Sequence, residues 1–240
     1  MMELQVGYYS LGKVGRPNED RYRLLGGGLI LPDNRNSAFK EMGRGQIYAV
    51  MDGVGGAKMG GRAAQCIADI LSDFYTNPDI PASIKGIESL LMKANQTISD
   101  WGVEEGTQRS SGASTVTLAW ISPKRELVTF HAGDSAAFLQ TEEGFKKITI
   151  DHENGGGLFR FSGEGASFFV DINKHPLQED DTIVLVTDGV TKGVRTAEMQ
   201  TLLESYAGEP DLIAKKIVEL SKHRNVQDDI TALVIEVLEW

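Results

Sequence analysis

Two aspartates, each followed at once by glycine, stand at the ends of apolar runs: Asp52-Gly53 after residues 47–51, and Asp188-Gly189 after residues 182–187. Both runs read as buried strands that stop on a carboxylate. An unpaired ion is costly to desolvate, so such a strand end needs a partner for its charge. Glycine lets the backbone turn sharply or approach a ligand closely. Two such ends, far apart in the chain, imply carboxylates converging on a cation, and hard oxygen ligands suit Mg or Mn.

Further acidic words fall at other element ends. Asn18-Glu19-Asp20 precedes a strand at Arg21, Ala132-Gly133-Asp134-Ser135 lies between two strands, and Gln227-Asp228-Asp229-Ile230-Thr231 opens the last strand. Singly, each is also what an ordinary turn uses, because Asp and Asn side chains bond to nearby backbone. Order and spacing together carry more.

The elements that must position these residues follow from periodicity. Residues 4–10, 21–26 and 46–51 read as strands, with loops at 26–28 and 33–45. Helical spacing runs over 60–76, ended by Pro78 and Pro81, and again over 82–101. From Ala113 the period changes: 115–121, 126–131 and 136–141 are β-rich, and their short separations favour an antiparallel meander. Residues 152–167 are glycine-rich and irregular, 182–187 and 230–237 read as strands, and 196–205 and 211–224 as helices. Strict βαβ alternation is absent, which favours α+β over a doubly wound sheet. The 240 residues are read as a single domain, 1–240.

Composition narrows the chemistry. A net charge of −10 argues against a nucleic-acid partner, which needs a basic face. Much of that excess is what a solvated acidic surface would show, and part could line a metal cleft. The single cysteine, Cys66, offers neither a disulfide framework nor a thiolate zinc site, and it reads as a small buried hydrophobe on a helix. Arginine does not follow it six positions on, where Ser72 stands, which argues against a cysteine nucleophile for phosphate esters. No G-x-S-x-G, H-E-x-x-H or Walker word is present. No apolar stretch spans a membrane and no signal-peptide core is seen, so a cytoplasmic protein with no membrane partner is expected.

Taken in order, the words 12–20, 50–56, Gly112-Ala113-Ser114-Thr115, 132–135, Thr149-Ile150-Asp151-His152, 186–190 and 228–231 resemble the metal-dependent protein phosphatases, the PPM or type 2C serine/threonine phosphatase family, in its bacterial form. The resemblance covers nearly the whole chain. It implies a four-layer α/β/β/α sandwich, two antiparallel sheets flanked by helices, with the site at one edge where strand ends meet. It implies that Asp52 bridges two Mg or Mn ions while the Gly53 carbonyl binds one. Asp188 and Asp228 would ligate the second, and Asp134 with Asp188 would form a third, weaker site. Asp20 and Glu19 would hold metal-bound waters, and Asp52, Asp188, Arg16 and Asp20 would carry catalysis. Two divalent ions roughly 4 Å apart need that many anions around them. A water bridging the metals would attack phosphorus in line, with no phosphoenzyme. The implied substrate is a phosphoserine or phosphothreonine protein, the counterpart of a serine/threonine kinase, and the expected state is a monomer.

The sequence departs from the family pattern chiefly around the substrate. The family's phosphate-clamping arginine is usually one position earlier, where Gly15 stands, which leaves Arg16 as the phosphate binder. Val54 and Ala57 occupy positions where members carry a histidine acid, and His152 and His131 are the nearby alternatives. Ala136 stands where arginine usually follows Gly-Asp-Ser, and Asp229 where Asp-Asn is common. The segment from His152 to Asp180 is short, so the flap beside the site is expected to be reduced or remodelled. These departures leave a second reading open: a low-activity or non-catalytic regulatory module that keeps the fold and the metal site.

Overall fold

In the computed structural model, which describes residues 3–25, 37–40, 43–54, 57–103, 105, 110–155 and 157–239, the apolar runs become the central strands of two antiparallel sheets. One sheet contains β1 (Glu3–Leu11), β3 (Ser37–Lys40), β7 (Ala136–Thr141), β8 (Gly144–Lys147), β12 (Thr182–Val186) and β13 (Ile230–Glu239), in the order β3-β1-β13-β12-β7-β8. The other contains β2 (Arg21–Leu25), β4 (Gln46–Met51), β5 (Val116–Ile121), β6 (Glu126–Ala132) and β11 (Asp171–Pro176), in the order β11-β6-β5-β4-β2. A small hairpin, β9 (Glu153–Asn154) with β10 (Gly157–Leu158), stands apart from both.

The central strands read as unbroken apolar runs because both of their faces are covered. Side chains alternate across a strand. Along β4, Ile47, Ala49 and Met51 pack outward against α1 (Gly60–Leu71), α2 (Asp73–Thr76) and α3 (Ile84–Ser99). Tyr48 and Val50 point inward to the layer between the sheets. On the opposite side, Ile183 and Leu185 of β12 face that same middle layer. Val184 and Val186 pack outward on α4 (Asp188–Thr191), α5 (Thr196–Ser205) and α6 (Pro210–His223). Three apolar cores thus separate four layers, as the resemblance implies. Each fully buried Val, Leu or Ile contributes roughly 1.5–3 kcal/mol, so these strands hold their ends firmly in place.

Some expectations change. Part of the loop expected at 33–45 is β3, whose backbone extends the sheet by pairing with β1 from Val6↔Ser37 to Glu3↔Lys40; the loop expected at 26–28 lies outside the described residues. The expected meander is only half formed. β5 and β6 pair as a hairpin, but β7 leaves that sheet and pairs with β12 in the other. The short link between β6 and β7, which includes Gly133 and Asp134, is therefore a crossing between sheets rather than a hairpin turn. Continuous helix over 60–76 breaks at Ser72, and the next helix starts at Ile84 because the Ser83 hydroxyl accepts the Gly86 N–H at 3.2 Å. β8 and β11 lie outside the expected strands: both are short, partly exposed edge strands without a long apolar run.

Candidate active site

The C-terminal ends of β4 and β12, the starts of β2 and β13, and the crossing after β6 bring the acidic words together. They line a cleft of about 430 Å³ whose walls include Asp52, Gly53, Thr115, Asp134, Asp188 and Asp228. The β9–β10 hairpin adds Glu153, Gly157 and Leu158. The glycine-rich segment after His152 is therefore a small wall of the cleft.

Asp52 is fixed through its backbone. Its N–H donates to the Thr115 hydroxyl at 3.0 Å, its carbonyl accepts the Thr115 N–H at 2.8 Å, and that hydroxyl also meets Ser135 Oγ at 2.8 Å. Thr115 thus ties the end of β4 to the crossing that carries Asp134. The two Asp-Gly words need glycine for want of space. A Cβ on Gly53 would lie 2.4 Å from the Gly60 carbonyl carbon, and one on Gly189 would lie 2.0 Å from the Asp229 carbonyl oxygen. The close approach is to another backbone segment, which pins each aspartate's turn against its neighbour.

Asp20 is buried at the start of β2. Its Oδ2 accepts hydrogen bonds from Thr187 at 2.9 Å and Thr231 at 2.6 Å, joining the end of β12 to the start of β13. Burial pushes its carboxyl up to about 7, against the lowering effect of both hydroxyls and with help from the charges of Asp229 and Asp188. Burial also holds Asp52 well above the usual carboxylate range, reinforced by Asp20, Asp188 and Asp228. Asp134 rises to about 6, mainly through burial and then through Asp188.

Among the described residues, two cationic side chains touch the acidic group. Arg16 Nη1 meets Glu19 Oε2 at 2.8 Å, and its Nη2 meets Asp228 Oδ1 at 3.2 Å and Asp229 Oδ2 at 3.3 Å. Gly15, with φ +91°, makes the turn just before it. An arginine at that position would be strained, which gives a physical reason for the one-residue displacement. Lys192 Nζ bonds to Asp188 Oδ2 and to Asp228 Oδ2, the latter at 2.9 Å.

The remaining acids brace the surroundings. Asp229 is buried and accepts the Lys13 N–H at 2.6 Å and the Glu19 N–H at 2.9 Å, anchoring the loop that carries Arg16. Glu19 Oε1 accepts the Gly61 N–H at 3.3 Å, serving the start of α1, whose own N-cap residue, Met59, makes no side-chain cap. Neither histidine reaches the cleft. His131 lies between the Thr117 hydroxyl and the Ile150 carbonyl, and its pKa is lowered to about 4, first by burial and then by His152. His152 Nδ1 accepts the Gly133 N–H at 3.1 Å, and its Nε2 lies 3.0 Å from Asp171. His152 thus supports the crossing behind Asp134, and with neither imidazole lining the cleft the expectation that either could serve as the acid is not met.

The donor set suits a hard divalent cation. Every side-chain donor is a carboxylate oxygen, and Asp20 Oδ1 and Asp188 Oδ1 are buried without a hydrogen-bond partner among the described residues. The described residues hold no ready-made cage of three or more such side chains around one point. Lys192 and Arg16 stand among the carboxylates instead. Sequence reading missed Lys192 as a member of the site and missed the hydroxyls of Thr187 and Thr231 as clamps on Asp20. Lys192 was signalled only by its place four residues after Asp188, where helical spacing makes side chains neighbours.

A two-sheet sandwich with a cleft of converging carboxylates at its strand ends defines the metal-dependent phosphatase class of hydrolase. The chain belongs to the protein phosphatase 2C family, whose model matches residues 15–221 and so stops short of Asp228. Serine/threonine phosphatase stp of Listeria innocua serovar 6a is 26% identical over 228 aligned residues, covering 85% of this chain and 89% of that one. Among solved structures, PppA, a key regulatory component of T6SS in Pseudomonas aeruginosa, superimposes with a TM-score of 0.77 at 22% identity, covering 98% of both chains. The catalytic domain of serine threonine protein phosphatase PstP, in complex with 2 manganese ions, gives a TM-score of 0.76 at 20% identity over 100% of both chains. These structural likenesses establish the fold.

Proposed function

We propose that this cleft removes phosphate from phosphoserine and phosphothreonine in proteins, with two Mg or Mn ions held by Asp52, the Gly53 carbonyl, Asp188 and Asp228, and a third, weaker ion held by Asp134 with Asp188. The observation that carries this reading is the convergence of partly buried, mutually repelling carboxyls on one open cleft. That is a costly arrangement for a protein to keep without cations to neutralise it. Bound there, divalent ions would supply charge neutralisation at the phosphoryl oxygens and a more acidic water.

The chain's own groups divide the remaining work. Thr115 and the packing of Gly53 orient Asp52, and Thr187 and Thr231 hold Asp20 behind it. Arg16 binds phosphate from the rim of the cleft, leaving its carboxylate contacts to do so. It is about one third exposed, which gives it room to swing. With Val54 and Ala57 in place of histidines, no imidazole of the described residues lines the cleft. Phosphoesters with good leaving groups should therefore be favoured over poor ones. The expected partner is a phosphorylated protein supplied by a serine/threonine kinase.

Comparing purified protein on phosphoserine, phosphothreonine and phosphotyrosine peptides, with Mn and with chelator, tests the proposal. Metal-dependent release from the first two supports it. Release from phosphotyrosine alone, or equal release in chelator, contradicts it. The regulatory-module reading draws on Arg16 being engaged by three carboxylates and on the absent histidines. Saturable Mn binding with no turnover on any of the peptides would favour it.

A further inference from the structure

Both oxygens of Asp228 are taken by cations: Oδ1 by Arg16 at 3.2 Å and Oδ2 by Lys192 at 2.9 Å. Lys192 also holds Asp188 Oδ2, while Asp188 Oδ1 is buried without a partner among the described residues. Among the described residues Asp52 has no such cation on it, and it lies against Asp188. The two proposed metal positions are therefore not equivalent in this chain. Among the described residues no side-chain cation occupies the position at Asp52 and Gly53, whereas the one at Asp188 and Asp228 is already served by an ammonium.

We propose that Lys192 is an internal counter-ion that competes with a divalent cation for Asp188 and Asp228, making this the weaker of the two metal positions. The inference rests on the metal reading given above. Lys192 directly follows the single turn of α4, which places its stem four residues from Asp188 and over the end of the loop that carries Asp228. Its side chain is 52% exposed, and a flexible four-carbon stem can swing off the carboxylates toward solvent when a metal arrives. An ammonium offers one positive charge against two, so a divalent ion displaces it at a cost in affinity. When metal is scarce, Lys192 offsets the repulsion between Asp188 and Asp228 that would otherwise loosen the ends of β12 and β13. Lys192 is thus a positioning residue that acts through the metal ligands.

Isothermal titration of Mn into metal-stripped protein tests this on the wild type, Lys192→Met and Lys192→Arg. Lys192→Met should tighten the weaker site by roughly three- to tenfold, the scale expected for losing two partly exposed ion pairs. The tighter site should stay where it was. Lys192→Arg, which keeps the charge, should behave like the wild type. In chelator, Lys192→Met should melt at a lower temperature than the wild type, and saturating Mn should close that gap. An unchanged or weaker second site in Lys192→Met would overturn the proposal. If that variant instead lost affinity only for inorganic phosphate, Lys192 would be a phosphate contact, which also overturns it. A wild type that binds no Mn would sink the underlying metal reading, an outcome distinct from two Mn sites insensitive to Lys192.

Discussion

The carboxylate of Asp20 and the hydroxyl of Thr231, 211 positions apart in the chain, meet at 2.6 Å inside the protein. Thr231 also shares a hydrogen bond with Ser10 at 2.7 Å, so one hydroxyl links β1, β13 and the start of β2 beneath the cleft. Thr231→Val keeps the shape but leaves the Asp20 carboxyl with Thr187 as its remaining hydroxyl donor. The expected cost is about 1–3 kcal/mol of stability, read as a lower urea midpoint with an unchanged slope. A midpoint equal to that of the wild type would mean that Asp20 does not depend on this bond.

Burial of ionisable side chains sets a pH dependence with a definite sign. The Asp20 carboxyl lies near 7 when folded against an ordinary value of 3.8. The folded state therefore holds its proton over that interval while the unfolded state releases it. The resulting stabilisation is complete below 3.8 and is lost as pH rises through about 7. His131 has the opposite sign: its folded value of about 4 lies below the ordinary 6.5, so its contribution is present above 6.5 and is lost as pH falls through about 4. Comparing metal-free wild type with Asp20→Asn isolates the first effect. The stability advantage of the wild type at about pH 5 relative to about pH 8 should shrink in the variant. Identical pH profiles would remove Asp20 as the source.

Arg16 is expected to act on substrate binding more than on the chemical step. Arg16→Ala should raise KM for a phosphothreonine peptide by about ten- to a hundredfold, the range for a lost hydrogen bond to a charged group. Arg16→Lys should recover part of this. A fall in kcat with KM unchanged would place Arg16 outside phosphate binding, as a brace for Asp228 and Asp229.

Much of this was legible in the sequence for one reason: strands buried on both faces leave continuous apolar runs, and the carboxylates at their ends break those runs abruptly. Asp52 and Asp188 were readable because β4 and β12 are central strands. The crossing at Gly133 was not readable, because a short link between β6 and β7 looks the same whether the second strand pairs with the first or changes sheet. The edge strands β8 and β11 lack the apolar density that marks a buried strand. Lys192 was missed because a surface lysine four residues along a helix usually signals only a solvated ion pair. Its second partner, Asp228, comes from a distant part of the chain.

The glycine of the second Asp-Gly word gives a steric prediction. Gly189→Ala would place a methyl against the Asp229 carbonyl oxygen, where 2.0 Å leaves no room. The start of α4 or the Asp228-Asp229 turn must move. A loss of about 1–3 kcal/mol in stability is expected, together with weaker Mn binding, since Asp188 and Asp228 sit on the two displaced segments. Wild-type Mn affinity in a destabilised Gly189→Ala protein would show that the two segments need not keep their register for metal to bind.

The proposed metal-dependent phosphatase site centres on Asp52. The most direct measurement is the initial rate of phosphothreonine-peptide hydrolysis as a function of Mn, for wild type and for Asp52→Asn checked to be folded by circular dichroism. The expected result is a saturable rise with Mn in the wild type, abolished by chelator, and a rate lower by about a hundredfold or more in Asp52→Asn at any Mn concentration. A wild-type rate indifferent to Mn and chelator, or an Asp52→Asn protein that turns over as fast as the wild type, would contradict it.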